Sequence, residues 1–229
     1  MKLLLRAVVV LVVLGVAVDF GAKLLVENLA AKALASRRGM NGSVEVTFGG
    51  FPFLLSLTGR HFASVTIEAE DVRGGGLETS PATTSAPDAR IESVTLELDD
   101  VDIEGQVWRD DAGGHASAAS GGGQATLSQN ALNRMVPGEY SARLLLRDGS
   151  ISVSANTPFG AREVEVAEDD VRIEGGAGAG VLVIQAPSPV GAISVPLPNL
   201  VDGVHFDGLD VEAGALTLTF DLRDVDLAL

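Results

Sequence analysis

The chain has 229 residues, a formal net charge of −15, 27 Gly and no Cys, and 46% of it is hydrophobic although only 4% is aromatic. Such acidity argues against nucleic acid as a partner, and against adhesion to an anionic bilayer by charge alone, because both need clustered Lys and Arg; a lipid would be held by apolar contact. Without cysteine, disulfides, thiolate metal sites, cysteine nucleophiles and a lipid-modified cysteine anchor are all excluded.

Met1 to Arg6 is a short cationic start, and residues 7–18 are uninterrupted apolar or Gly. This is the pattern of a signal peptide, with Gly15-Val16-Ala17 as the cleavage candidate. An uncleaved N-terminal membrane anchor, extended past Asp19 by Phe20, Leu24 and Leu25, is the alternative. Either way the chain is expected to be exported. Residues 19–36 read as an amphipathic helix with Asp19 as N-cap and Arg37-Arg38-Gly39 as its stop. Its apolar stripe packs on a sheet or lies on a bilayer surface.

Val44, Val46 and Phe48 alternate as a strand, which two glycines release into Phe51-Pro52-Phe53, the short apolar run Leu54, Leu55 and Leu57, and Gly59-Arg60. Half of the 8 Phe in the chain (Phe48, Phe51, Phe53 and Phe62) fall within fifteen residues of each other. Such rings plug the end of a β core, or they floor an apolar pocket.

A strict alternation follows in Ser64-Val65-Thr66-Ile67-Glu68-Ala69-Glu70-Asp71-Val72. It returns at residues 93–101 and more faintly at 163–171, each time ending in two acidic residues and Val. Uneven spacing excludes a solenoid and suggests long antiparallel strands with one wet face. Residues 74–89 and 110–123, rich in Gly, Ser, Thr and Ala, read as loops. Ser128 caps a predicted helix over 129–136 that Pro137-Gly138 ends. A hairpin with a type I′ turn is predicted at Asp148-Gly149, flanked by Leu144 to Arg147 and by Ile151 and Val153. Val181 to Ile184 reads as a buried strand, and Pro187, Pro189, Pro196 and Pro198 as a stiff connector that turns Ile193, Val195, Leu197 and Leu200 inward. A hairpin about Glu212-Ala213-Gly214 closes the chain.

Catalysis finds no residue set. His61, His115 and His205 lack metal-ligand spacing, and there is no Gly-x-Ser-x-Gly elbow. The acidic clusters lack the spacing of a calcium loop and read as solvated strand ends. Gly175 to Gly180 leads into a strand rather than a helix, so it cradles no phosphate. Neither a cofactor nor an enzymatic activity is expected.

The block Gly50-Phe51-Pro52-Phe53-Leu54, with Leu57, Gly59-Arg60, Phe62 and the Val-x-Ile strand after it, resembles the signature of the LmeA-like family. These are actinobacterial cell-envelope proteins, described as phospholipid-binding and linked to lipoglycan (mannan) elongation. The resemblance runs from about Asp19 to the C-terminus. It implies one domain over 19–229, α+β and β-dominated: a long curved antiparallel sheet with the N-terminal helix along its concave face, similar to half of a tubular lipid-binding domain. It also implies a phospholipid ligand; on the residues, its acyl chain is expected in an apolar groove between the facing helix and Phe48, Phe51, Pro52, Phe53, Leu54, Leu57 and Phe62, with Arg60 on the phosphate. Partners in this picture are the membrane surface and envelope glycosyltransferases. The competing expectation is a membrane-tethered structural or interaction module with a filled core.

Overall fold

The computed structural model describes residues 2–37, 42–73, 90–105, 114–157, 160–175, 180–197 and 203–228. The first element, α1 (Lys2–Arg37), runs unbroken through position 19. The helix expected to begin at Asp19 therefore continues the apolar segment before it, because no proline interrupts the sequence and the glycines at 15 and 21 are tolerated singly. Ala22, Val26, Ala30 and Leu34, four residues apart, pack against the core. Among the described residues no helix is long and apolar enough to cross a membrane.

β1 (Val44–Gly49) is followed by α2 (Phe53–Gly59), where sequence periodicity indicated only an apolar run, and then by β2 (His61–Arg73) and β3 (Arg90–Gly105). β4 (Gly114–Ser128) leads into α3 (Gln129–Met135). Next come β5 (Ala142–Arg147), β6 (Ser150–Thr157), β7 (Gly160–Ala167), β8 (Val171–Glu174), β9 (Val181–Gln185), β10 (Ala192–Pro196), β11 (Val204–Glu212) and β12 (Ala215–Ala228). One six-stranded sheet has the order β1-β2-β3-β4-β12-β11, and two three-stranded sheets are ordered β5-β6-β7 and β10-β9-β8. All pairings are antiparallel, and the large sheet does not close into a barrel.

Helices cover strand edges that would otherwise offer free backbone groups. The Glu27 carboxylate of α1 accepts the Phe48 N–H of edge strand β1 at 2.9 Å. On α3, Asn133 both donates to the Leu144 carbonyl and accepts its N–H, each at 2.7 Å, while Gln129 accepts the Leu146 N–H. The Ser128 hydroxyl caps α3 as expected, accepting the Ala131 N–H at 3.4 Å.

The recurrent Asp-Val has a structural meaning. Asp71 and Asp100 adopt positive φ (54° and 57°), as does Asp224 (49°) in Arg223-Asp224-Val225, a copy that the sequence pattern had not revealed. The left-handed region is open to few residues besides Gly, and Asp is one of them. At each site the inward-facing parity shifts: Val94, Leu96 and Leu98 are buried, then Val101 and Ile103. Asp100 and Asp224 face Ala119 from either side, since Ala118 pairs with Val101 and Val225 and Ser120 with Asp99 and Arg223. They mark one crease across the sheet. The copy at 163–171 differs, because its acidic pair lies in a 3-10 turn (Glu168–Asp170) between β7 and β8.

Three other expectations change. Residues 114–123, read as loop, form the first two thirds of β4 at the middle of the large sheet. Small residues are required there, since a Cβ on Gly123 would lie 2.8 Å from the Phe220 ring and one on Gly121 3.1 Å from the Leu98 side chain. The Asp148-Gly149 turn joins β5 to β6 with positive φ at Gly149 only, so it is not type I′; the Asp148 carboxylate instead accepts the Ala213 N–H of the β11–β12 turn. The proline-rich connector contains β10, with Ile193, Val195 and Leu197 buried as anticipated. Residues 74–89 and Leu200 lie outside the described residues.

Candidate functional site

The bend after β1 is built by Gly50, at φ 104°, and by Phe51-Pro52, which hand the chain to α2. Pro52, the N-cap residue, offers no side-chain acceptor. Asp19 of α1 supplies it from outside: its carboxylate accepts the Phe53 N–H at 2.8 Å and the Leu54 N–H at 2.7 Å. A carboxylate on the first amides of a helix satisfies two orphan donors with charge-assisted bonds. Asp19, expected to cap its own helix, thus caps another. It is only 6% exposed, and it pins α2 against α1. At the far end Arg60 takes the left-handed conformation and its N–H returns to the Ser56 carbonyl. Its own carbonyl accepts the Ile103 N–H of β3 at 2.9 Å.

The predicted lipid-contact residues divide into two sets. Phe48, Phe53 and Phe62 are buried, their ring centroids 4.7–6.0 Å apart. That spacing is direct ring contact, so the place where the three meet is filled by the protein's own side chains. Leu57 is half-buried against the same core. Phe51, Pro52, Leu54 and Arg60 face outward, with Phe51 66% exposed. Leu55, which had not been singled out, is 71% exposed beside Leu54. On α1 the large apolar side chains Leu14, Val18, Phe20, Leu24, Leu25 and Leu29 are exposed as well. Asp19 thus fixes the start of α2 beside the middle of this stretch of α1.

A family model described as LmeA-like phospholipid-binding matches residues 17–221. The chain belongs to this family. No curated protein and no solved structure matches the chain. Phospholipid binding therefore rests on the family; among the described residues of the bend, Phe48, Phe53 and Phe62 pack on one another while Phe51, Leu54 and Leu55 are exposed. A recess of about 230 Å³ opens elsewhere, lined by Asp71, Arg90, Glu92 and Ser128. Arg90 is ion-paired with Asp71 there, so its described lining side chains are polar or charged.

Among the described residues no cluster of three or more His, Asp or Glu could hold a metal. His61, next to Arg60, is exposed on the outer side of β2, with Nδ1 2.9 Å from Asp102 and Nε2 3.2 Å from Asp100. The hydrogen bond to Asp102 and the negative charge of both aspartates hold its pKa above the ordinary imidazole value. Sequence reading missed Asp19 and Leu55 as site residues. The usable signal was the lone acidic group between Val18 and Phe20, which the unbroken α1 does not need as its own cap.

Proposed function

We propose that this protein is an exported, non-catalytic component of the cell envelope, held by its N-terminal segment, that binds phospholipid through its acyl chains and so supports lipoglycan (mannan) elongation beside envelope glycosyltransferases. The observation that carries the reading is the uncovered apolar surface where α1 meets α2, with Phe51, Leu54 and Leu55 presented on a helix anchored by Asp19. Acyl chains lie against that surface, outside the filled Phe48/Phe53/Phe62 trio, and Arg60 takes the phosphate. Each chain methylene removed from water contributes about 0.8 kcal/mol, so about ten of them against this surface reach micromolar-class binding before ordering costs.

The test is lipid extracted from the purified full chain and identified by mass spectrometry, compared between the native sequence and a Phe51→Asp, Leu55→Asp double variant. Loss of lipid from the variant is the expected result; equal lipid in both ends the reading. A second reading, a tethered interaction module with a filled core, is favoured by the contact among the three buried rings. It requires that neither protein take up a fluorescent fatty acid.

A further inference from the structure

We infer that the Phe51–Leu55 tip is a bilayer-insertion element: with α1 it docks the domain on a lipid membrane surface, and the β-sheets stand away from that membrane. The inference rests on the phospholipid reading above and deepens it, from one bound lipid to the plane of a bilayer. Three observations carry it.

First, the apolar face is continuous with a hydrocarbon-compatible segment. The exposed side chains from Leu14 to Leu29 lie on the same unbroken helix as residues 7–18, which contain only apolar residues and Gly. A helix apolar on its outer side as well as its inner one is not finished by packing on its own sheet. Secondly, the tip is rigidly set at that level of α1. The two Asp19 hydrogen bonds fix the first turn of α2 beside residue 19, so Phe51, Leu54 and Leu55 cannot retreat without freeing two buried or half-buried amides. Thirdly, charge is distributed to match. Residues 1–62 hold seven Lys or Arg and three Asp or Glu, whereas residues 63–229 hold nine and 28. Of the described cations, Lys23 lies one turn along α1 from Asp19 and Arg60 at the end of α2, whereas 28 of the 31 Asp and Glu lie in residues 63–229. Arg60 lies one short helix from Leu54 (about 9 Å at 1.5 Å per residue), within reach of the headgroup layer when the tip is submerged.

The absence of cysteine makes the test clean. Full-length protein carrying Leu55→Cys, labelled with an environment-sensitive fluorophore, is reconstituted into phosphatidylcholine vesicles that contain spin-labelled lipid as quencher. Leu145→Cys serves as the control, being an exposed apolar position on β5, a strand that neighbours the sheet edge opposite α1. The label at 55 is expected to be blue-shifted and quenched from a depth of about 5–10 Å below the headgroup boundary, and the label at 145 to be neither. An unquenched label at 55 overturns the proposal. So does efficient disulfide cross-linking of unlabelled Leu55→Cys between two copies in vesicles, which would assign the apolar face to a second copy of the chain. Quenching at 55 without co-purifying lipid upholds docking while ending single-lipid capture; co-purifying lipid without quenching does the reverse.

Discussion

A single carboxylate decides where the apolar tip sits. Asp19 is buried on a helix whose neighbouring positions are apolar, and its two short hydrogen bonds replace the cap that Pro52 cannot provide. Truncating a helix cap costs about 0.5–2 kcal/mol, and charge-assisted, buried bonds lie at the upper end of that range. Asp19→Ala is therefore expected to lower Tm by about 4–8 °C in a domain of this size, with Asp19→Asn intermediate because it keeps one acceptor. Differential scanning calorimetry measures this, and an unchanged Tm would show that α2 holds its place without the cap. His61 is the residue where pH acts. Its pKa is raised in the folded protein, first by the Asp102 hydrogen bond, so the stability it contributes is complete below about 6.5 and fades as pH rises through the folded value. The NMR titration of His61 is expected to have its midpoint above 6.5 and to move back towards it in Asp102→Asn. A midpoint indifferent to that substitution would remove the pair.

At the level of elements, the legible parts were those in which one pattern acts alone. The alternation in β2 and β3, the Ser128-capped α3 and the closing β11–β12 hairpin follow from local period and capping chemistry. Contacts remote in sequence decided the rest. β4 carries no strand signal across Ala116 to Gly123 because its place between β3 and β12 selects small side chains under Leu98 and Phe220. The heptapeptide α2 is too short to declare itself, and it is stabilised by a group 34 residues away in sequence. The Gly50–Phe62 block was legible as a site, but which ring points inward was not, since only about half a helical turn separates the buried Phe53 from the exposed Leu55. This two-sidedness gives a sharp contrast. Phe53→Ala, 1% exposed in the native chain, is expected to cost about 3–5 kcal/mol, whereas Leu55→Asp changes stability by less than about 0.5 kcal/mol. Denaturant unfolding separates them, and a large cost at Leu55 would mean that the tip packs against the protein instead of facing outward.

For the whole molecule, charge asymmetry sets how it meets a membrane. A net −15 would be expected to repel an anionic bilayer, yet 28 of the 31 acidic groups lie in residues 63–229 while Lys23 and Arg60 flank the surface-seeking tip. These two contributions act over different distances. Lys23 and Arg60 are close to the bilayer on docking, within a Debye length of about 8 Å at physiological salt, and the acidic sheets stand farther off. At about 0.01 M salt the screening length is about 30 Å, so the sheets are felt and oppose approach; at about 0.15 M their repulsion is screened and the nearby cations still act. The rate at which the full chain associates with preformed anionic vesicles should consequently rise between these two salt concentrations, while the rate with phosphatidylcholine vesicles stays flat. A protein docking through a basic patch alone behaves in the opposite way, losing attraction as salt is added. Stopped-flow energy transfer to labelled vesicles reads the difference directly, and a rate that falls with salt on anionic lipid would mean that the acidic sheets do not stand away from the bilayer as the orientation requires.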